Sequence, residues 1–285
     1  MPLKEEGWSV WTNSNNHAFG SCGFAHPDDI EFVAAGTLAL LDKEGWEIHY
    51  FNLCNGNCGS VLTGPEETAA IRLDEAKQAA HILNAHFHPP ISNDLELIYS
   101  TELLKKTLAV VRSCKPEIIL THSPKDYMED HTNASRLAVT AAFSMGIPNL
   151  QSDPLVEAVE GDITVYHATP HGQRDQLRKE IRSGLYVNIE TVMQIKTRSL
   201  GAHQSQKHWL DKTQGMDSYL ITMEKATQAV GLQSAKFKFA EGWRRHLHWG
   251  FSSSEHDPLA DALKEYAVVD KEFEKELNDH NQNSA

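Results

Sequence analysis

Apolar runs alternate with segments of helical period along most of this chain. Residues 19–25 form a short run of small and apolar residues, which predicts a buried first strand. Apolar residues then recur at helical spacing over residues 30–41 until Gly45, which predicts one amphipathic helix. Residues 46–53 predict the next strand. This alternation is typical of βαβ units, so we expect a layered α/β fold with a mostly parallel sheet.

The same alternation continues more weakly toward the end of the chain. Pro65 and two acidic residues begin a predicted helix at residues 65–84, because proline and carboxylates are favoured in a first helical turn. Beyond it we predict helices at residues 103–111, 192–203, 206–213, 216–231 and 235–245, and strands at residues 117–120 and 162–168. Another helix is expected to begin near His131.

The domain organisation predicted from this pattern is simple. We find no internal repeat and no long linker, so residues 1–249 are expected to form one domain. Residues 250–285 are expected to form a polar, partly helical C-terminal extension that contains a charged helix at residues 259–277.

Composition and charge restrict the partners of the protein. The 285 residues are 40% hydrophobic and 23% charged, which is ordinary for a globular domain. The formal net charge is −13 and no basic block occurs, so nucleic acids and anionic membrane surfaces would be repelled. A small neutral or cationic substrate fits this charge better. Because no stretch of about 18 apolar residues and no signal peptide is evident, we expect no membrane span and a cytoplasmic location.

Four cysteines are too few for a disulfide framework in a chain of this length. Cys54 and Cys58 have a spacing that can hold a metal ion, but no second Cys/His pair has the spacing that a structural zinc site needs. We therefore expect reduced thiols.

The strongest chemical signal is the stretch Ala25 to Glu31, where one histidine and two adjacent aspartates follow the first predicted strand. His26 and Asp29 can bind a divalent ion, and His131, at a second predicted helix start, supplies another imidazole. Three protein ligands leave a fourth position for water, whose pKa the ion lowers from 15.7 toward about 7. Asp28 would then act as the general base.

Two other interpretations of these residues were considered. Asp28 or Asp29 can simply cap the following helix, although a cap needs only one of them. His26, Asp28 and His131 also form the two-histidine, one-carboxylate set of non-haem iron oxygenases. Such oxygenases are usually all-β jelly rolls, which disagrees with the α/β pattern.

Several motifs together resemble the PIG-L/LmbE-like family of zinc-dependent de-N-acetylases. The resemblance spans about residues 19–245. The motifs that carry it are Ala25-His26-Pro27-Asp28-Asp29 with Glu31, Arg72-x-x-Glu75, Asp130-His131, His203-x-Ser205-Gln206, and Ala240-Glu241 before Trp243-Arg244. The resemblance implies a Rossmann-like fold and a hydrolase that removes an acetyl group from an N-acetylated amino sugar, such as an N-acetylglucosamine conjugate.

The resemblance also assigns roles to individual residues. It implies that His26, Asp29 and His131 bind Zn²⁺ and that Asp28 is the general base, in agreement with the roles argued from chemistry. It places Arg72 and, more weakly, Asp94 at the substrate. For Arg72 a helix-surface ion pair with Glu75 is an equal alternative. Asp130 is expected to orient His131.

One position departs from the family pattern. Many relatives carry a histidine three residues before the last zinc ligand, where it stabilises the oxyanion, and this chain has Met128 there. A thioether cannot donate that hydrogen bond, which leaves a metal-binding, sugar-binding protein with weak or lost catalysis as an alternative. His122, Tyr127 and His203 are candidate replacements. We favour His203 as the catalytic residue, reaching a site in its own or a neighbouring subunit, although a polar helix-surface histidine is an equally good interpretation.

Two further expectations follow from the resemblance. Family members often form homo-oligomers, so a homo-oligomer is expected here. The sequence leaves open which acetylated substrate is used, because the pocket walls would come from loops.

Overall fold

The computed structural model describes residues 19–213 and 219–282. Within them, eight strands form one sheet whose helices cover both faces. The strands are β1 (Phe19–Phe24), β2 (Glu47–Asn52), β3 (His86–His88), β4 (Ile118–Thr121), β5 (Thr164–Ala168), β6 (Leu185–Asn188), β7 (Ala240–Arg245) and β8 (Ala267–Val269). The helices are α1 (Asp29–Val33), α2 (Ala35–Lys43), α3 (Pro65–Ile82), α4 (Thr101–Cys114), α5 (Glu129–Phe143), α6 (Met193–Leu200), α7 (Gln204–Thr213), α8 (Tyr219–Gln233), α9 (Pro258–Ala262) and α10 (Lys271–Gln282).

The strand order is β3-β2-β1-β4-β5-β7-β6-β8. Strands β1 to β5 pair in parallel, whereas β7 runs antiparallel to β5 and β6, and β8 runs antiparallel to β6. The predicted α/β fold with a mostly parallel sheet is confirmed. Because β1 lies between β2 and β4, the chain reverses its direction of winding there, and open α/β sheets bind ligands at the carboxyl ends of such strands.

Two hydrophobic cores pack against the two faces of the sheet. Alternate residues of β2 enter different cores: Ile48 and Tyr50 pack with α2 and α3, and Phe51 packs with α4 and α5. The first core extends to Trp243, which is fully buried and donates from Nε1 to Thr37 Oγ1 at 3.0 Å. The fold therefore has three layers.

The single helix predicted over residues 30–41 is interrupted. Helix α1 ends at Val33 and α2 begins at Ala35, with a kink at Ala34. A buried ion pair explains the interruption, because Lys196 Nζ lies 2.6 Å from Glu241 Oε1 and also donates to the Phe32 carbonyl at 2.9 Å. The Glu241 carboxylate accepts from the amides of the first turn of α2, which a helix start leaves without partners.

The second half of the chain differs from the predicted elements in two places. The helix predicted at residues 235–245 is wrong, because residues 240–245 form strand β7 between β5 and β6. The helix predicted at residues 259–277 is also wrong: it divides into α9, β8 and α10. Leu259 and Leu263 are fully buried in the first core and β8 joins the sheet, so this part of the expected extension packs with the main body.

One further prediction reaches the edge of the described residues. The helix predicted from residue 216 is α8, which is described from Tyr219, because residues 214–218 lie outside the described residues. The short strands β3 and β6 were not predicted.

In the described part of the chain, no helix combines the length and apolar character required to span a bilayer.

The Lys196–Glu241 pair predicts a large stability effect. Lys196→Met leaves a buried carboxylate without its cation, which should lower the free energy of unfolding by about 3–5 kcal/mol in urea denaturation. Lys77→Met, at an exposed position of α3, is the matched control and should change it by less than about 0.5 kcal/mol. Equal effects of the two variants would contradict this account.

Candidate metal centre

A strained turn places the first metal-binding residues at the carboxyl end of β1. Asp28 has a φ of 105°, a left-handed conformation that is uncommon for any residue other than glycine. Two contacts support the turn: the His26 amide donates to Asp29 Oδ2 at 2.6 Å, and Asn52 Nδ2 donates to the His26 carbonyl at 2.6 Å. Strain of this kind is characteristic of functional sites.

The three predicted ligands converge. Asp29 Oδ2 lies 3.3 Å from His26 Nδ1 and 3.4 Å from His131 Nε2, and one ligand atom from each residue lies within 4.8 Å of the others. A tetrahedral zinc ion with bonds of about 2.0–2.1 Å holds its ligand atoms about 3.3 Å apart. The residues therefore fit a divalent metal ion.

The outer nitrogen of each imidazole has a carboxylate partner. His26 Nε2 lies 3.0 Å from Asp130 Oδ2, and His131 Nδ1 lies 3.0 Å from Asp126 Oδ1. The expectation that Asp130 orients His131 is wrong, because Asp126 does so and Asp130 contacts His26. Such carboxylates fix the ring orientation and leave the inner nitrogens, His26 Nδ1 and His131 Nε2, directed at the same point.

The same carboxylates dominate the electrostatics of the ligands. Burial alone would lower the pKa of His26, but hydrogen bonds from Asp130 and Asp29 outweigh it and raise that pKa to about 9. His131 behaves alike: burial opposes the charge, and Asp29 and Asp126 raise its pKa to about 10. Burial opposes the charge of Asp29, but the neighbouring imidazoles, His131 first and then His122, hold the pKa of Asp29 well below its usual range. A divalent cation could bind His26 and His131 only if both rings gave up their added protons.

His122 lies beside the three ligands without belonging to the set. Its ring stacks on His131 with centroids 3.9 Å apart, and its Nε2 accepts from the Ala25 amide at 3.0 Å. The lone pair of Nε2 is therefore engaged, although Asp29 Oδ2 is only 3.2 Å away. Burial lowers the pKa of His122, which keeps the ring neutral.

Two overlapping groups of potential ligands surround the same point. They are His26 with Cys54 and Asp130, and His122 with Asp126 and His131. Burial, reinforced by nearby carboxylates, raises the pKa of the Cys54 thiol, so this group favours the protonated thiol and not a metal thiolate. Among the ligand groups found in the described residues, none combines Cys54 with Cys58.

A cavity of about 410 Å³ opens over the three ligands. Asp28, Arg72 and Asp94 line it together with His26, Asp29 and His131. Met128 also lines this cavity, at the residue that precedes α5.

Asp28 lines the same cavity, and its carboxylate is held by two residues other than the candidate ligands. Its Oδ2 accepts a hydrogen bond from the Tyr219 hydroxyl at 2.5 Å, and its Oδ1 lies 3.5 Å from Arg72 Nη2. Burial raises the pKa of Asp28 despite the opposing charge of Arg72. The oxygenase interpretation required Asp28 as a ligand with His26 and His131, whereas Asp29 occupies that place.

Arg72 does not pair with Glu75. Its guanidinium donates to the Pro27 and Gly56 carbonyls and faces Asp28, whereas Glu75 accepts from the amide and hydroxyl of Ser205 at 2.7 and 2.6 Å. Gly56 has a φ of +78°, and a Cβ there would lie 2.5 Å from the Arg72 side chain. Arg72 thus supports the turn that carries Asp28, in addition to lining the cavity.

Asp94 anchors the loop after β2. Its two carboxylate oxygens accept from the amides of Gly56 and Cys58 at 2.8 and 3.1 Å. Asp94 thus shapes the cavity wall, and its expected contact with substrate stays a prediction.

His203 lies outside the cavity. Its side chain is fully buried, with Nε2 3.2 Å from Glu31 Oε2, and it is absent from the cavity wall. The structure thus gives no support to His203 as an oxyanion donor in its own subunit, and its burial also removes it from a subunit surface. The helix-surface interpretation fails for the same reason.

Two residues near the ligands were not assigned from the sequence. His171 lines the cavity, and Tyr219 binds Asp28 from α8. Tyr127, one of the candidate oxyanion donors, also lines the cavity. His171 follows the predicted strand at residues 162–168, so its position at a strand's carboxyl end was an available signal. No sequence pattern connects Tyr219 with Asp28, because 190 residues separate them.

Comparison with known proteins agrees with this geometry. Residues 23–142 match the family described as PIG-L, GlcNAc-PI de-N-acetylase. The chain is 30% identical over 193 residues to the diacetylchitobiose deacetylase of Thermococcus kodakarensis, which covers 65% of this chain and 68% of that protein. The chain belongs to the PIG-L family. The matched residues include His26, Asp28, Asp29 and His131.

The PIG-L chain also resembles proteins of another named activity. It is 29% identical over 231 residues to the 4-oxalmesaconate hydratase of Pseudomonas putida, covering 76% of this chain and 85% of that protein. The crystal structure of the 4-carboxy-2-hydroxymuconate hydratase of Pseudomonas putida superposes with a TM-score of 0.69 and 22% identity, covering 84% of this chain and 99% of that one. That likeness establishes the shared fold alone.

The contact between Asp126 and His131 predicts an effect on metal affinity. Asp126→Asn removes the charge that orients His131, so the affinity for Zn²⁺ should fall by about 10- to 100-fold in competition with a chelator. Asp261→Asn, at an exposed position of α9, should bind as the unmodified protein does. Unchanged affinity in Asp126→Asn would show that the contact does not orient a ligand.

Proposed function

We propose that this protein is a zinc-dependent N-deacetylase that removes the acetyl group from an N-acetylated amino sugar or sugar conjugate. The observation that carries the proposal is the convergence of His26 Nδ1, Asp29 Oδ2 and His131 Nε2. A second carboxylate, Asp28, lines the same cavity and is held separately by Tyr219. Three ligands and a separate base are the composition that metal-assisted hydrolysis requires.

When bound, the ion would lower the pKa of a water molecule toward about 7 and polarise the amide carbonyl. Asp28 accepts a proton from the attacking water and returns it to the leaving nitrogen. Burial raises the pKa of Asp28, which makes its carboxylate a stronger base toward the attacking water. The carboxylic acid formed in this way is still acidic enough to give its proton to the leaving amine. Tyr219 and Arg72 hold this carboxylate toward the cavity.

The charges of the cavity support a neutral substrate. Among the described residues that line it, Arg72 is the one lysine or arginine, and its guanidinium already faces Asp28 and the Pro27 carbonyl. Four aspartates line the same cavity: Asp28, Asp29, Asp94 and Asp126. An N-acetylated sugar such as an N-acetylglucosamine conjugate fits these charges better than a polyanion, in keeping with the name of the Thermococcus relative.

Met128 leaves the stabilisation of the oxyanion to another donor. We assign that role to His171, which lines the cavity beside Tyr127 with ring centroids 6.5 Å apart. Unlike His122, whose Nε2 accepts from a backbone amide, His171 stands on the cavity wall after β5. An imidazole N–H there can donate where the thioether of Met128 cannot.

Hydration of a carbon–carbon double bond is a second candidate function. The Pseudomonas relative named as a hydratase covers more of this chain than the deacetylase does, and Asp28 can deprotonate water for either reaction. The acidic cavity argues against a substrate with several carboxylates. An assay of acetate release from N-acetylglucosamine conjugates, beside an ultraviolet assay of 4-oxalmesaconate hydration, separates the two. Hydration without acetate release would overturn the deacetylase proposal.

Asp28→Asn tests the assignment of the base. Acetate release should fall by about 10²- to 10⁴-fold because an amide cannot accept the proton, whereas the bound zinc, measured by elemental analysis, should stay unchanged. Asp74→Asn, exposed on α3, should keep full activity. Loss of zinc from Asp28→Asn would instead make Asp28 a ligand, and retained turnover would exclude it as the base.

His171→Gln tests the replacement of the oxyanion donor. The kcat for acetate release should fall by about 10²- to 10³-fold, with little change in KM, because the lost interaction exists only in the transition state. Met128→His in the same background should recover part of the rate. Full activity in His171→Gln would assign the donor to another group, with Tyr127→Phe as the next variant.

Binding of N-acetylated sugars with no turnover in the zinc-loaded protein would favour the sugar-binding alternative. Homo-oligomer formation and a cytoplasmic location stay predictions.

A further inference from the structure

A second group of metal-binding side chains lies outside the cavity. It consists of His49 in β2, His88 in β3 and Cys114, the last residue of α4. One ligand atom from each of the three lies within 4.8 Å of the others. None of them lines the cavity over His26, Asp29 and His131. The group therefore belongs to a different place in the fold.

Distances within this group are close to those of a metal site. His49 Nδ1 lies 2.9 Å from His88 Nε2, and Cys114 Sγ lies 3.4 Å from His88 Nε2. A tetrahedral zinc ion, with bonds of about 2.0–2.1 Å to nitrogen and about 2.3 Å to sulfur, holds two nitrogens about 3.3 Å apart and a nitrogen and a sulfur about 3.6 Å apart. Opening the group by a few tenths of an ångström would admit the ion.

A carboxylate stands behind the histidines. Glu47 Oε1 lies 3.5 Å from His49 Nε2 and 3.3 Å from His86 Nε2. The contact between Glu47 and His49 Nε2 is longer than a hydrogen bond, and the Nδ1 atom of that ring is the one that faces His88. A carboxylate near the outer nitrogen is a frequent companion of a metal-bound imidazole.

Two of the three side chains are buried and the third is partly exposed. The side chains of His49 and Cys114 are buried, with 2% and 3% of their surface exposed, whereas His88 is partly exposed at the edge of the sheet. The partly exposed side gives an ion access and leaves a fourth position for water. Two imidazoles and a thiolate are softer donors than Mg²⁺ or Ca²⁺ prefers, and they suit Zn²⁺.

We propose that His49, His88 and Cys114 form a second Zn²⁺ site, independent of the proposed catalytic one. On binding, Cys114 releases its thiol proton to solvent and the thiolate becomes the third ligand. The ion would connect α4 to β2 and to β3, an edge strand of three residues that pairs only with β2 among the described strands. The ion would therefore stabilise this edge of the sheet, and the proposal does not depend on which reaction the protein catalyses.

Cobalt titration of the metal-free full-length protein tests the proposal, because a thiolate bound to Co²⁺ gives a ligand-to-metal charge-transfer band in the near ultraviolet. The catalytic site supplies only nitrogen and oxygen donors and gives no such band. The unmodified protein should bind two equivalents of Co²⁺ and show the band. Cys114→Ser should bind one equivalent and lose the band, while acetate release stays unchanged.

Further variants separate this site from the other thiols and from loss of folding. Cys58→Ser and His86→Asn are matched controls and should keep both equivalents and the band. His131→Ala should lose one equivalent and keep the band. His88→Asn should weaken the thiolate site at least tenfold while its circular dichroism spectrum stays native. One equivalent without the band in the unmodified protein, or a band that persists in Cys114→Ser, would overturn the proposal.

Discussion

The site depends on the contacts of one side chain, the carboxylate of Asp29. A single oxygen, Oδ2, lies between 3.2 and 3.4 Å from three imidazoles and also accepts from the His26 amide. These imidazoles come from the carboxyl ends of β1 and β4 and from the start of α5. An anion that is largely buried is costly unless a cation compensates it, and protonated His26 and His131 or a divalent ion in place of their protons can do so.

The remainder of the fold supports the turn that presents this carboxylate. Arg72 donates to the Pro27 carbonyl and Tyr219 binds Asp28, so helices from opposite ends of the chain hold the residues on either side of Asp29. The Lys196–Glu241 pair interrupts the helix that follows and provides partners for the backbone groups at the kink. The motif around Glu241, which resembled the family without an assigned role, is thus a helix cap with a buried counter-ion.

Relatives of this chain carry two differently named activities. Proteins named as a deacetylase and as a hydratase both align with this chain, and one fold can host several activities. The wall of the cavity in this chain is therefore the informative feature. Here that wall carries four aspartates, one committed arginine and, at position 128, a thioether, which favours a neutral substrate and a donor from elsewhere on the wall.

Local sequence alone indicated the α/β fold and most of its first strands and helices, because hydrophobic period is a local property. It also indicated His26, Asp29 and His131 as candidate ligands, from their residue types next to a predicted strand end and predicted helix starts. Tertiary structure decided the rest. Arg72 faces Asp28 where Glu75 was expected, and Asp130 contacts His26 where His131 was expected. His203 is buried against Glu31, and residues 240–245 form a central strand where a helix was expected. Each of these outcomes depends on contacts between residues distant in the chain, such as Asp28 and Tyr219, and a single sequence contains no periodic signal for such contacts.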